Sequence, residues 1–202
     1  MNIIFDLDGT LIDSKERLYQ LFQRLVPVST LTFDQYWRFK HNRLSNELIL
    51  STQFGYGDDD IRRFVQAWMG LIESTEFLSM DSNFDGLKEA LVRLSVQARL
   101  HVCTARQSRE SAVTQLESLG LLNYFESLMV TEQKYSKDFI IGRDVSHLAR
   151  EDWLIGDTGS DIKVAQSLGI NSCAVLSGFM SRDVLVGYKP TRIIDSVVQF
   201  AL

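Results

Sequence analysis

The sequence predicts an α/β fold, a Rossmann-like parallel sheet with helices on both faces, interrupted near its start by an all-helical insert. Three observations predict it. An apolar run, Ile3-Ile4-Phe5, begins almost at once and ends in Asp6 and Asp8. From residue 84 onward, short β-rich runs alternate with amphipathic helical patterns, as in parallel strands joined by covering helices. Between residues 14 and 78 nothing reads as a strand.

The elements follow in order. Residues 2–6 form the first strand. Residues 14–26 read as a helix with Ser14 as N-cap and Leu18, Leu21, Phe22 and Leu25 on one face; Pro27 and the Ser-Thr pair stop it. Helical patterns continue over 32–40, 44–54 and 58–77, with Asp58 or Asp59 as an N-cap and Trp37, Phe39, Phe64 and Trp68 as large apolar groups. Residues 84–97 are helical through Leu87, Ala90, Leu91 and Leu94. A strand over 99–104, a helix over 107–119 closed by Gly120 and a strand over 127–131 come next. A helix over 138–149, a strand over 153–156 and a helix over 159–168 closed by Gly169 follow. Runs at 171–176 and 191–194 complete the strands. The first strand is thus separated from the others by about 65 residues, far more than an ordinary connection.

Composition narrows the function classes. The 202 residues are 45% hydrophobic and 23% charged, with a net charge of −5. That balance suits a folded globular chain and has no basic stripe for nucleic acid or an anionic membrane surface. No apolar stretch reaches the ~18 residues of a membrane span. Residues 1–12 lack the basic start of a secretory signal, so a cytoplasmic location is expected. Cys103 and Cys173 lie in separate apolar runs and are expected as reduced core thiols. Nothing in the sequence reports an oligomeric state.

The chemistry gathers at strand ends, where open parallel sheets place their sites. Asp6 and Asp8 close the first strand. Two carboxylates this near each other need a cation or a shared proton. The strand at 99–104 ends in Thr104-Ala105-Arg106, a hydroxyl followed by backbone N–H groups at a helix start, which suits an anion; Thr104 or Ser108 could equally be a plain helix cap. Lys134 and Lys137 follow the strand at 127–131, and either could set a point charge on a phosphoryl oxygen. The strand at 153–156 leads into Asp157 and, four residues on, Asp161. Oxygen-only ligands of this kind suit Mg²⁺.

Asp6-Leu7-Asp8-Gly9-Thr10, Thr104, a Lys at 134 or 137, and Gly156-Asp157 with Asp161 resemble, in order, the four motifs of the haloacid dehalogenase-like hydrolases. The likeness spans essentially the whole chain. It implies a core of residues 1–14 and 79–202 and a helical C1 cap of residues 15–78 acting as a lid. It also implies a Mg²⁺-dependent phosphatase acting on a small phosphorylated metabolite. Asp6 would be the nucleophile that forms an aspartyl-phosphate, and Asp8 the general acid and base. Asp6, the Asp8 backbone carbonyl, Asp157 and Asp161 would hold or support the metal. Thr104, the Ala105 backbone and Lys137, with Lys134 as the alternative, would hold the phosphoryl group. Asp8 favours phosphoryl transfer over dehalogenation, because a halide needs no proton to leave. The 40–45 segment between two cap helices offers Arg43, with Lys40 and His41, to the leaving group.

Three other readings compete. Cys103 and Arg109 have the spacing of a cysteine-dependent phosphatase loop, but residues 104–108 contain no glycine to wrap a phosphate. A phosphomutase would use the same motifs and pass the phosphoryl group to a sugar hydroxyl. A non-catalytic binding protein on the same scaffold would have no need of the full acidic set. His41, His101 and His147 show no metal spacing, and His101 is expected in the core or at a sheet edge.

Overall fold

A computed structural model describes residues 1–202. In chain order the strands are β1 (Asn2–Phe5), β2 (Ile12–Asp13), β3 (Ser82–Asn83), β4 (Arg99–Thr104), β5 (Ser127–Val130), β6 (Trp153–Gly156), β7 (Asn171–Val175) and β8 (Arg192–Ile194). The helices are α1 (Lys15–Leu25), α2 (Phe33–His41), α3 (Asn46–Phe54), α4 (Asp58–Leu71), α5 (Thr75–Leu78), α6 (Leu87–Ser95), α7 (Arg109–Ser118), α8 (Lys137–Asp144), α9 (Gly159–Leu168) and α10 (Arg182–Val186).

Six strands form one parallel sheet in the order β5-β4-β1-β6-β7-β8. β1 is central, pairing Ile3 with Leu100 on one side and with Trp153 on the other. A strand covered on both faces has no reason to alternate apolar with polar residues, which is why β1 reads as a continuous apolar run. Ile3 and Phe5 point into a core with Leu91, Leu116 and Phe200. Ile4 points to the opposite face, among Ile140, Ile141 and Ala165.

The 14–78 block is helical, as predicted, and has a core of its own built on Phe22, Tyr36, Trp37, Ile49, Leu50 and Phe64. Burying each of these side chains contributes about 1.5–3 kcal/mol toward holding the insert's helices together. Its entry and exit are stitched by β2 and β3, where Ile12 faces Asn83 and Asp13 faces Ser82 in an antiparallel pair. Two-residue strands carry no periodicity, so the sequence could not announce them.

Several boundaries move for physical reasons. Ser14 stands at the start of α1 but its hydroxyl makes no cap bond; the Asp13 carboxylate takes the Lys15 N–H instead. Gly57, not Asp58 or Asp59, is the N-cap of α4, and the three aspartates occupy its first turn, where the helix dipole favours them. The predicted 58–77 helix breaks after Leu71, and α5 restarts after Ser74. α8 stops at Asp144 rather than 149. Val145 is extended, His147 has φ 58°, and the Asp152 carboxylate claims the Ala149 N–H. The helix predicted over 107–119 starts at Arg109, with Ser108 as a true cap accepting from the Ser111 N–H. This leaves the Thr104 hydroxyl free of that duty.

Candidate active site

The carboxyl ends of β1, β4 and β6 meet in a cleft of about 300 Å³ lined by Asp6, Asp8, Thr104, Lys137, Asp157 and Asp161 among others. β1 delivers Asp6, whose N–H continues the sheet ladder to the Ile155 carbonyl at 2.8 Å. β6 delivers Asp157, and the first turn of α9 delivers Asp161. The Asp161 Oδ2 accepts from the Thr158 N–H at 3.2 Å and hydroxyl at 2.6 Å, a box that fixes this carboxylate at the helix start. Lys137, the first residue of α8, closes the group with its Nζ 2.6 Å from both Asp6 Oδ1 and Asp161 Oδ1.

The carboxylates of Asp6, Asp157 and Asp161 offer oxygens within 4.8 Å of one another, and all three residues are buried. One ammonium faces three carboxylates, so at full ionisation two negative charges are unbalanced. Burial pushes Asp6 up to about 7, with Lys137 pulling the other way and Asp161 and Asp8 adding to the rise. Burial, Asp6 and Asp161 likewise raise Asp157 well above the usual carboxylate range. Burial also works against the charge on Lys137, yet Asp161 and Asp6 hold its pKa well above the ordinary value. Asp157 Oδ1 is buried with no hydrogen-bond partner. A hard divalent cation answers both problems, the surplus charge and the orphaned oxygen, and the donor set is the oxygen-only kind that Mg²⁺ prefers. The residues present therefore fit the metal.

Asp157 is also held by its surroundings. Its Oδ2 accepts from the Phe179 N–H at 2.7 Å. Gly9 and Gly178 pack so tightly on it that a Cβ at either would lie 2.6 Å and 2.1 Å from that oxygen. Gly9 further needs its φ of 83°, which L side chains rarely adopt. Phe179 in turn stacks on Trp37 of the insert, with ring centroids 5.4 Å apart. The Gly178-Phe179 turn thus touches both the acid cluster and the insert.

The Asp8 side chain lies in a second cluster, apart from the other three acids. Arg106 grips it with two bonds, Nε to Oδ2 at 2.9 Å and Nη2 to Oδ1 at 2.8 Å, and Arg17 of α1 bonds the same Oδ1. Arg17 and Arg106 also reach Asp81, at 3.1 Å and 3.6 Å, and Gln115 donates to Asp81 Oδ2 at 2.6 Å. Burial works against the charge on Asp8, but Arg106 and Arg17 hold its carboxyl well below the usual range. Asp81 is pushed the other way, up to about 6, by burial against the pull of Arg17.

Between the insert and the core, Glu73 accepts from the Gln107 and Ser108 N–H groups at 2.7 and 3.0 Å, and Gln107 donates to the Met69 carbonyl at 2.9 Å. On the far wall, Glu132 and Gln133 take left-handed φ values of 51° and 57°. They are pinned there by bonds from Glu132 N–H to the Arg106 carbonyl and from Gln133 Nε2 to the Ala105 carbonyl.

The structure separates the sequence candidates. Asp6, Asp157, Asp161 and Lys137 form one group, and Thr104 and Ala105 line the same cleft. Lys134 is exposed and pairs with Glu132 at 3.6 Å. Arg43 lies over the Tyr188 ring at 5.2 Å, and neither it, Lys40 nor His41 lines the cleft. Cys103 is buried, its thiol pushed up to about 12 by burial, and Arg109 turns away to the Leu128 carbonyl, so no cysteine loop forms. His101 is buried between Ser127 and Asn2. Sequence reasoning missed Arg17, Asp81 and Glu73. The one available signal was an Arg on the apolar side of α1, directly before Leu18.

Comparison with known proteins agrees with this geometry. Residues 3–175 match the family model described as haloacid dehalogenase-like hydrolase. A curated relative, "Probable phosphatase IndB" of Dickeya dadantii (strain 3937), is 24% identical over 211 residues, covering 96% of this chain and 89% of its own. Among solved structures, a haloacid dehalogenase-like family hydrolase from Streptococcus pneumoniae superposes with a TM-score of 0.81 at 23% identity, covering 98% of this chain and 95% of that one. A predicted phosphoglycolate phosphatase from Haemophilus somnus 129PT gives 0.76 at 19% identity, covering 97% and 94%. These structural likenesses speak for the fold.

Proposed function

The chain belongs to the haloacid dehalogenase-like hydrolases, and on that premise we propose that it is a Mg²⁺-dependent phosphatase that hydrolyses a small phosphate monoester through an aspartyl-phosphate on Asp6. The observation that carries this reading is the buried trio of Asp6, Asp157 and Asp161 with Lys137 as its single cation.

Asp6, Asp157 and the Asp8 backbone carbonyl would hold the metal, with Asp161 supporting the set. Bound there, Mg²⁺ supplies charge that offsets the repulsion between a carboxylate nucleophile and a phosphate. The other tasks fall to side chains. The Thr104 hydroxyl, the Ala105 N–H and Lys137 receive the phosphoryl oxygens. Asp6 attacks phosphorus as the bond to the leaving oxygen breaks. Asp8 gives that oxygen its proton, then takes one from the water that hydrolyses the aspartyl-phosphate. Arg17 and Arg106 favour the ionised form of Asp8, the state in which it takes a proton from the water of the second step.

The insert, residues 15–78, serves as the cap over a core of residues 1–14 and 79–202. It sits directly over the cleft through Arg17, Trp68, Met69 and Ile72. No helix is long and apolar enough to cross a membrane. We read the protein as acting in the cytoplasm on a small phosphorylated metabolite, without nucleic acid.

Phosphate release from a panel of monoesters, with and without Mg²⁺, tests this. Asp6→Asn is expected to lower turnover on the order of 10⁴-fold, and a radiolabelled substrate should leave a hydroxylamine-sensitive adduct on the wild-type protein only. Full activity in Asp6→Asn would falsify the proposal.

A further inference from the structure

The cleft reports on the alcohol that leaves, a matter the acid clusters do not decide. Its insert wall is apolar, formed by Leu18, Trp68, Met69 and Ile72, and Phe179 closes the side toward the core. Trp68 is partly exposed and is backed by Phe64, with ring centroids 5.5 Å apart, so its ring is braced against the insert core. A braced ring over a small cleft offers a flat apolar surface at little entropic cost.

The cations beside this wall are already engaged. Lys137 is shared by Asp6 and Asp161. Arg17 and Arg106 face Asp8 and Asp81, two guanidiniums against two carboxylates. The remaining charge on the insert side is an acid, Glu73, whose carboxylate sits on the Gln107 and Ser108 N–H groups. A carboxylate or second phosphate on the leaving group would meet Glu73 and Asp8 with no uncommitted cation to offset them. Arg106 keeps one buried Nη1 without a partner, but the charge of its guanidinium is already engaged by Asp8 and Asp81.

We propose that the substrate is the phosphate monoester of an uncharged alcohol bearing a planar or apolar ring, seated on Trp68 with Leu18, Met69 and Ile72 around it. This rests on the hydrolase reading above and narrows it to a substrate class. Trp68 is then the residue that sets specificity, and small anionic esters are disfavoured by the wall they would face.

Three esters of primary alcohols test it with Mg²⁺ present: 2-phenylethyl phosphate, ethyl phosphate and phosphoglycolate. The wild-type protein should prefer the first over the second by about 10–100-fold in kcat/KM, with phosphoglycolate poorest. Trp68→Ala should cut the phenylethyl-to-ethyl ratio about tenfold, mainly through KM, and Trp68→Phe should retain most of it. A second readout needs no turnover: calorimetric binding to Asp6→Asn should be about tenfold tighter for 2-phenylethyl phosphate than for ethyl phosphate. Should Trp68→Ala not fold, Leu18→Ser and the binding measurement carry the same question. Preference for phosphoglycolate, or a ratio indifferent to Trp68 and Leu18, overturns the proposal while leaving hydrolysis intact. Selective binding of the ring ester without release of phosphate from any of the three overturns the hydrolase reading instead.

Discussion

Two acid clusters lie side by side at the carboxyl edge of this sheet, and they are built to opposite ends. Asp6, Asp157 and Asp161 share a single lysine, and one oxygen of Asp157 has no partner at all. Asp8 and Asp81 are matched one for one by Arg17 and Arg106. Both clusters are largely buried, so desolvation works against charge in each. The first is unfinished without a cation. The second is balanced in charge within the chain and ties insert to core, because Arg17 comes from α1 while Asp8 and Arg106 come from strand ends. The sum of charge in each cluster, more than the number of acids, therefore separates the group that calls for a cation from the one whose charges are balanced within the chain.

The comparison can be broken most sharply at Lys137. Lys137→Met should lower phosphate release by about 10²–10³-fold, whereas Arg106→Met should act first on folding, lowering stability by about 3–5 kcal/mol by leaving carboxylates uncompensated. Steady-state kinetics and urea unfolding on both variants separate the two outcomes, and equal loss of stability in both would erase the distinction. A smaller effect comes from the metal. Mg²⁺ at a hundredfold excess over its Kd should stabilise the wild-type protein by about 2.7 kcal/mol, seen as a rise of several degrees in melting temperature. Asp157→Asn should lose most of that rise and Asp81→Asn should keep it; matching responses would show that the clusters do not differ in the way described.

The smallest effect is on pH dependence. Asp81 is raised to about 6 by burial, against about 3.9 in an unfolded chain. Its folded value exceeds its unfolded one, so its contribution to stability is full below about pH 4 and lost as pH rises through about 6. Asp8, held low, has the opposite sign: its contribution is present above the unfolded value and lost as pH falls. Melting temperatures of Asp81→Asn and wild-type protein between pH 4 and 7 should therefore diverge, with the wild type falling more steeply on top of the downward component that the raised Asp6 and Asp157 give to both.

The strand-end acids were legible because position and residue type are both local: an apolar run stops, and a carboxylate follows. Asp6 and Asp157 needed nothing more. The choice of Lys137 over Lys134 needed the start of α8, which turns one lysine inward and leaves the other on the surface beside Glu132. Arg17 was hard to read because an arginine at the edge of an apolar helix face ordinarily extends its charge to solvent; its partners Asp8 and Asp81 are near in space, and Asp81 is distant in sequence. The β2–β3 pair was illegible for a similar reason, since each half is two residues long and its partner is some 70 positions away. Arg43 failed from the other side. Its loop reads as an arm reaching toward the site, and it does reach the core, but Arg43 lies over Tyr188 outside the cleft lining.

Phe179 joins matters otherwise discussed apart. Its backbone N–H holds an oxygen of Asp157, and its ring lies on Trp37, a residue outside the cleft. A tilt of the helical insert is thereby geared, through one peptide unit, to the carboxylate that would grip a cation. On the proposed reading, the hold on the ion and the seating of the insert would be set through this one contact.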